Sequence, residues 1–183
     1  MTDQPEPGGR EARTKLVNDA RRWARRAIPD IVRESGGRVV DRPVFRGCPD
    51  LNMTTTEAEP MAGLQAACHL EHAARLVARE CIRNAREDGR SWHEIGVALG
   101  LGTATEDRGI SVAEAAYDYA ASEPFSEYDP RSIPWTCKAC LEVIGDRGPE
   151  TGHPADAEPG HADGCPRLAA TIAAWQASWD EEG

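Results

Sequence analysis

Four residues near the C-terminal end constrain this 183-residue chain more than any others: Cys137-x2-Cys140-x20-His161-x3-Cys165. A Cys-x2-Cys turn sets two thiolates around one ion and leaves backbone amides free to donate to the sulfurs. A His-x3-Cys pair brings two more ligands to one side of a turn or helix start. Three thiolates and one imidazole complete a tetrahedral shell of the structural type, with no open position for a reacting water. The stretch between the pairs contains Gly145, Gly148, Pro149, Gly152, Pro154, Pro159 and Gly160, and its only strand-like run is Leu141, Val143 and Ile144. So little apolar material cannot order itself, and bound metal supplies the missing free energy. One structural zinc ion held by Cys137, Cys140, His161 and Cys165 is therefore expected. His153 is the alternative imidazole; His161 is preferred for its short spacing to Cys165, which stands where the dipole of the last helix favours a thiolate.

This metal assignment needs reduced thiols, and the rest of the chain agrees. No apolar run approaches the ~20 residues that span a bilayer. The N-terminus lacks the apolar stretch of a signal peptide. A cytoplasmic location is expected, where six cysteines read as metal ligands and buried thiols rather than three disulfides. The zinc portion, about thirty residues, resembles zinc ribbons and small zinc fingers, a class whose members bind nucleic acid or protein or hold a fold together.

Upstream, the chain is mainly α by pattern. Residues 1–10 form a disordered tail. From Glu11, Leu16, Ala20, Trp23, Ala27 and Ile31 recur as one buried helical face requires. Pro29 is expected to kink this helix, and Gly36-Gly37 to end it. Residues 38–53 look irregular or briefly extended. Thr56 to Glu59 forms a capping box for a long helix to Asp88, with Leu70, Ala74, Val77, Cys81 and Ala85 as its apolar stripe and Gly89 as its stop. Ser91 to Glu94 and Ser111 to Glu114 are two further boxes, opening helices to Leu99 and Ala121. Pro124, Pro130 and Pro134 mark a linker over 123–134. Residues 135–183 hold the zinc module and a last helix opened by Pro166, with Leu168, Ile172, Trp175 and Trp179 on one face.

Arg86 to Leu101 resembles the first half of a helix-turn-helix, similar to segments of actinobacterial regulators and sigma-factor-like domains. The resemblance implies a helix-turn-helix-like unit within a helical domain over 11–122, with Ile95 and Leu99 inward and Gly96 allowing close approach. The second half departs from the pattern. About ten residues, not three or four, precede the next cap, and Val112–Ala121 carries two acids and no cation, whereas a helix facing phosphates normally carries donors or positive charge.

Charge divides the chain in the same way. The net charge is -10, which disfavours nonspecific nucleic-acid binding. Residues 10–46 nevertheless carry eleven basic against five acidic side chains. Arg21, Arg22, Arg25 and Arg26 cluster at four-residue steps and are the candidate nucleic-acid contacts; a solvated face is the plainer reading. Cys68, His69 and His72, with Cys48, form a weaker candidate for a second metal site. No Gly-Lys-Ser/Thr phosphate loop occurs, and Val97 stands where a His-Glu-x-x-His motif needs its second histidine. The expectation is a non-enzymatic, zinc-containing regulatory or accessory nucleic-acid-binding protein. Its alternative is a zinc-stabilised protein-interaction module, contacting another protein or itself through Trp175 and Trp179.

Overall fold

The computed structural model describes residues 7–44, 54–101, 109–121 and 131–180. It is mainly helical, with two small antiparallel hairpins. The order is α1 (Pro7–Glu34), β1 (Val39–Pro43), β2 (Thr54–Ala58), α2 (Pro60–Glu87), α3 (Trp92–Leu99), α4 (Val112–Ala121), β3 (Ile133–Thr136), β4 (Val143–Asp146), a 3-10 turn (Pro149–Thr151), α5 (Pro154–Ala157) and α6 (Pro166–Asp180). The chain forms two compact units, Met1–Leu76 and Val77–Gly183, and the boundary falls inside α2. The helix-turn-helix-like segment and the four metal-ligand candidates thus share one unit. Residues 1–6 of the expected tail, most of the expected linker, and Cys48 lie outside the described residues.

In the first unit, α1 begins at Pro7 rather than Glu11 and runs through Pro29 without a break. An interior proline withholds one amide and crowds the carbonyl of the preceding turn, which bends a helix more readily than it ends one. Gly36, at φ 76°, ends it, and the Gly37 amide returns to the Val32 carbonyl at 2.8 Å. β1 and β2 pair antiparallel, with Asp41 opposite Thr56. The Thr56 hydroxyl donates to Asp41 at 2.6 Å. This occupies the residue expected to cap α2, so the predicted box does not form. Glu59 serves instead, accepting from the Ala62 amide at 3.2 Å.

The expected apolar faces of α1 and α2 are largely uncovered. Leu16 and Trp23 are 69% and 62% exposed, and Ala20 is exposed with them. On α2, Ala74, Val77 and Cys81 are exposed, whereas Ala66, Ile82 and Arg86 are buried. Periodicity in apolar residues missed this line because Arg86, a charged residue, anchors it. Every residue from Glu71 to Val77 is exposed.

The second unit has two adjoining cores. Ile82, Trp92, Ile95, Ala116, Tyr117 and Ile133 make one. Trp135, Cys137, Ile144 and Cys165, with Cys140 and Leu168, make the other. Both later capping boxes form: Ser91 exchanges bonds with Glu94, and Ser111 with Glu114. Gly89 and Gly100 adopt φ 87° and 75° as helix stops. Gly96 does bring α3 against α4, since a Cβ there would lie 2.5 Å from the Val112 carbonyl oxygen. β3 pairs with β4, Trp135 opposite Ile144. Two further backbone bonds, Gly145 N–H to Pro159 and Arg147 N–H to Ala157, fasten the next loop along β4.

Candidate metal centre

The ligand atoms of Cys137, Cys140, His161 and Cys165 all lie within 4.8 Å of one another. Among the described residues they are the one group of this kind, and together they can hold one metal ion. Cys137 and Cys140 flank a tight turn after β3. Its chain reversal is sealed by the Leu141 amide on the Cys137 carbonyl at 2.7 Å. Leu141 pays for that turn with a left-handed φ of 63°, a conformation normally left to glycine. Cys165 precedes the first residue of α6, where the Ala169 amide bonds its carbonyl at 3.0 Å.

The cluster is prepared for anionic sulfur. Amides of Ala162 and Glu142 donate to the Cys140 sulfur and bring its pKa down to about 6, with His161 and Cys137 assisting. Cys137 is buried, which pushes its thiol up, while the amides of Cys140 and Ala139 pull the other way. The Cys137 and Cys165 sulfurs lie 3.9 Å apart, and the Cys140 sulfur is 3.5 Å from His161 Nδ1. His161 turns its other nitrogen, Nε2, to Glu158 Oε2 at 3.3 Å. With a metal ion held by Nδ1, the proton would sit on Nε2 and face Glu158, the arrangement a metal-ligating histidine requires.

His153 is committed elsewhere. Its Nδ1 accepts from the Ala155 amide at 3.2 Å, capping α5, and its ring meets Trp175 edge-on at 5.0 Å. Trp175 is therefore half-buried within the chain, and only Trp179, 63% exposed, remains accessible. Cys68, His69 and His72 are exposed and belong to no metal-binding group among the described residues.

Behind the ligands lies a buried ionic network that sequence reasoning missed. Glu158 Oε1 accepts from Arg86 at 2.5 Å, and Arg86 Nε donates to Asp146 at 2.8 Å. Asp146 also accepts the indole N–H of Trp92 at 3.1 Å, that of Trp135 at 3.1 Å and the Gly148 amide at 3.0 Å. Arg86 spends a further donor on the Arg90 carbonyl at 2.6 Å, closing the corner between α2 and α3. Arg167, from α6, stacks over Trp135 at 4.0 Å and caps the end of α2 through the carbonyls of Arg86 and Glu87. Among the described residues no buried side-chain polar atom lacks a partner. An acid at the end of a short strand, as Asp146 is, gives no pattern by itself; the one usable signal was that Arg86 sits in register with Ile82.

The helix α4, where the sequence departs from the helix-turn-helix pattern, packs into the unit's own core. Ala116 and Tyr117 are buried, Tyr117 donates to the Arg131 carbonyl, and its ring meets Trp92 edge-on at 5.3 Å. Glu114 and Asp118 on α4 raise the pKa of Glu150 on the 3-10 turn by repulsion, Glu114 most strongly. This side of the unit is acidic. Arg21, Arg22, Arg25 and Arg26 are all exposed on α1, with Arg22 paired to Asp19. No helix among the described residues is long and apolar enough to cross a membrane. No family model, curated protein or solved structure matches the chain.

Proposed function

We propose that this chain is a zinc-stabilised protein-interaction module without catalytic activity. Zinc is the metal assigned because three thiolates and one imidazole in a closed shell suit its tetrahedral preference and leave no site for a reacting water. Reduced cysteines of this kind fit a cytoplasmic setting. The observation that carries the interaction reading is the uncovered apolar stripe of α1. Leu16, Ala20 and Trp23 fall on one line, Val17 lies beside them, and all four are exposed. Soluble chains rarely leave contiguous apolar surface open without a use for it. At helical angles Arg26 and Arg21 stand nearest the two edges of this surface, while Arg25 and Arg22 lie on the far side of the helix. The partner that fits is a protein segment with an apolar face and acidic flanks.

The second reading, nucleic-acid binding, is favoured by the same four exposed arginines, which form a ladder able to meet phosphates. It draws no support from α4, whose exposed side chains include no cation. Fluorescence anisotropy with a labelled DNA duplex separates the two. The interaction reading expects no saturable binding at low salt. Salt-dependent binding that weakens in R22A/R26A and persists in Trp23→Asp would replace it with the nucleic-acid reading. Cobalt substitution, read by thiolate charge-transfer and tetrahedral bands, checks the metal assignment; octahedral spectra would reject it.

A further inference from the structure

Four ligands explain the metal centre, yet three charged side chains are buried behind it. Arg86, Asp146 and Glu158 are 5%, 1% and 8% exposed. A buried ionic group seldom stabilises more than an apolar core of equal volume would, so its presence points to a more specific task. The path through these groups is continuous. It runs from His161 Nε2 to Glu158, from Glu158 to Arg86, and from Arg86 both to the Arg90 carbonyl and to Asp146, which holds Trp92 at the start of α3. The His161 side chain is itself 1% exposed, so no water competes along the way.

We infer that Glu158 and Arg86 are positioning residues of the metal site, and that through them metal occupancy and the order of the α2–α3 corner are coupled. The inference rests on the metal reading above. With metal on Nδ1, the imidazole is fixed and presents its Nε2 proton to Glu158, which keeps Oε1 on Arg86. Without metal, His161 loses its anchor, and the loop carrying Glu158 loses one of its fastenings. Arg86 is then left half-paired in a dry site, and the Arg90 carbonyl and the α3 entrance lose the group that holds them. Linkage makes the effect reciprocal: whatever steadies the corner tightens metal binding by the same factor.

The test uses the full chain loaded with zinc, in reductant, before and after chelation. Amide exchange of residues 85–99 is followed by mass spectrometry, and zinc affinity by chelator competition, in wild type, Glu158→Gln and Asp163→Asn. Asp163 is exposed and stands between two ligands in sequence, so its variant removes the same charge without touching His161. Chelation is expected to speed exchange over 85–99 at least about tenfold in wild type. Glu158→Gln should weaken zinc binding by roughly 10–100-fold and shrink the zinc-dependent protection, whereas Asp163→Asn should change affinity by less than about threefold. Equal weakening in the two variants would reduce the role of Glu158 to general charge and overturn the positioning claim. If Glu158→Gln does not fold, the wild-type exchange experiment decides. Unchanged exchange while native mass spectrometry shows one zinc bound and then removed would overturn the coupling and leave the zinc reading standing. A chain that takes up no zinc would overturn both.

Discussion

The two units of this chain differ in how much apolar surface they bury. In Met1–Leu76 the buried hydrophobic side chains among the described residues are Val32 and Ala66, while Leu16, Val17, Trp23, Met61 and Leu64 are all more than half exposed. In Val77–Gly183 ten buried residues make two cores joined by a metal-ligand cluster and an ionic network, while Val77, Val97, Leu141, Val143 and Trp179 remain more than half exposed. The first unit relies on long helices whose apolar faces are largely exposed. Long helices in proteins draw most of their stability from the cover of such faces rather than from propensity. The second relies on a few long-range polar bonds of high cost when broken.

Removing the metal breaks this comparison most severely if it is wrong. Chelation of the reduced protein should abolish the near-ultraviolet dichroism of Trp92 and Trp135 and leave the helical signal of α1 largely in place. Structural zinc in finger peptides contributes about 10–16 kcal/mol, more than a domain of this size has in reserve. A single transition in which both units melt together would show that they are not separate.

Asp146→Ala comes next. It takes one of two carboxylates from the buried Arg86 guanidinium and strands three N–H groups, a loss of about 3–5 kcal/mol, read by urea denaturation of the zinc-loaded protein. A cost below about 1 kcal/mol would mean that the network does not hold the second unit.

The third prediction concerns the metal-free thiols. With its pKa at about 6, Cys140 is largely thiolate at pH 7, whereas Cys137 is held protonated by burial. Iodoacetamide should label Cys140 at least about tenfold faster than Cys137, as mapped by peptide mass spectrometry. The sign follows from the depressed value. The folded thiolate contributes stability that is present above the unfolded pKa and lost as pH falls through about 6. Labelling should fade over the same range, and equal rates at pH 7 would contradict a prepared site.

Leu141→Gly is expected to stabilise the loaded protein slightly. It relieves a left-handed leucine, worth about 1–2 kcal/mol, against a glycine entropy cost of roughly 0.5–1 kcal/mol. Destabilisation would show that the 78% exposed Leu141 side chain makes contacts of its own. The smallest effect belongs to the first unit. Trp23→Ser should change stability by less than about 0.5 kcal/mol by thermal denaturation, because the side chain covers nothing. A larger loss would place Trp23 in a core.

The sequence was most legible where chemistry is local. The ligand spacing led to the four residues that converge, and the later capping boxes and glycine stops marked the ends of α3 and the start of α4 correctly. It was least legible where distant residues decide. Thr56 looked like a cap because its hydroxyl and Glu59 have the right spacing, yet Asp41, fifteen residues back, claims that hydroxyl. The stripe through Val77 and Cys81 was the more apolar line, yet Asp146 and Glu158 turn α2 so that Arg86 faces in. The stripe on α1 was read from its period, but period tells which residues share a face and not whether anything lies against it. Of the candidate site, the metal ligands could be read from spacing, whereas a partner cannot be read from a helical period alone.

The position of Arg86 also sets an order of events during synthesis. Its carboxylate partners lie 60 and 72 residues downstream. At typical ribosomal speeds of 5–20 residues per second, Glu158 is added roughly 4–14 s after Arg86. Until then the α2–α3 corner has emerged with a cation that no acceptor can neutralise in a dry interior. The α2–α3 corner is therefore the part that must wait, and a chain interrupted before Asp146 would offer proteases an unfinished corner rather than a smaller domain.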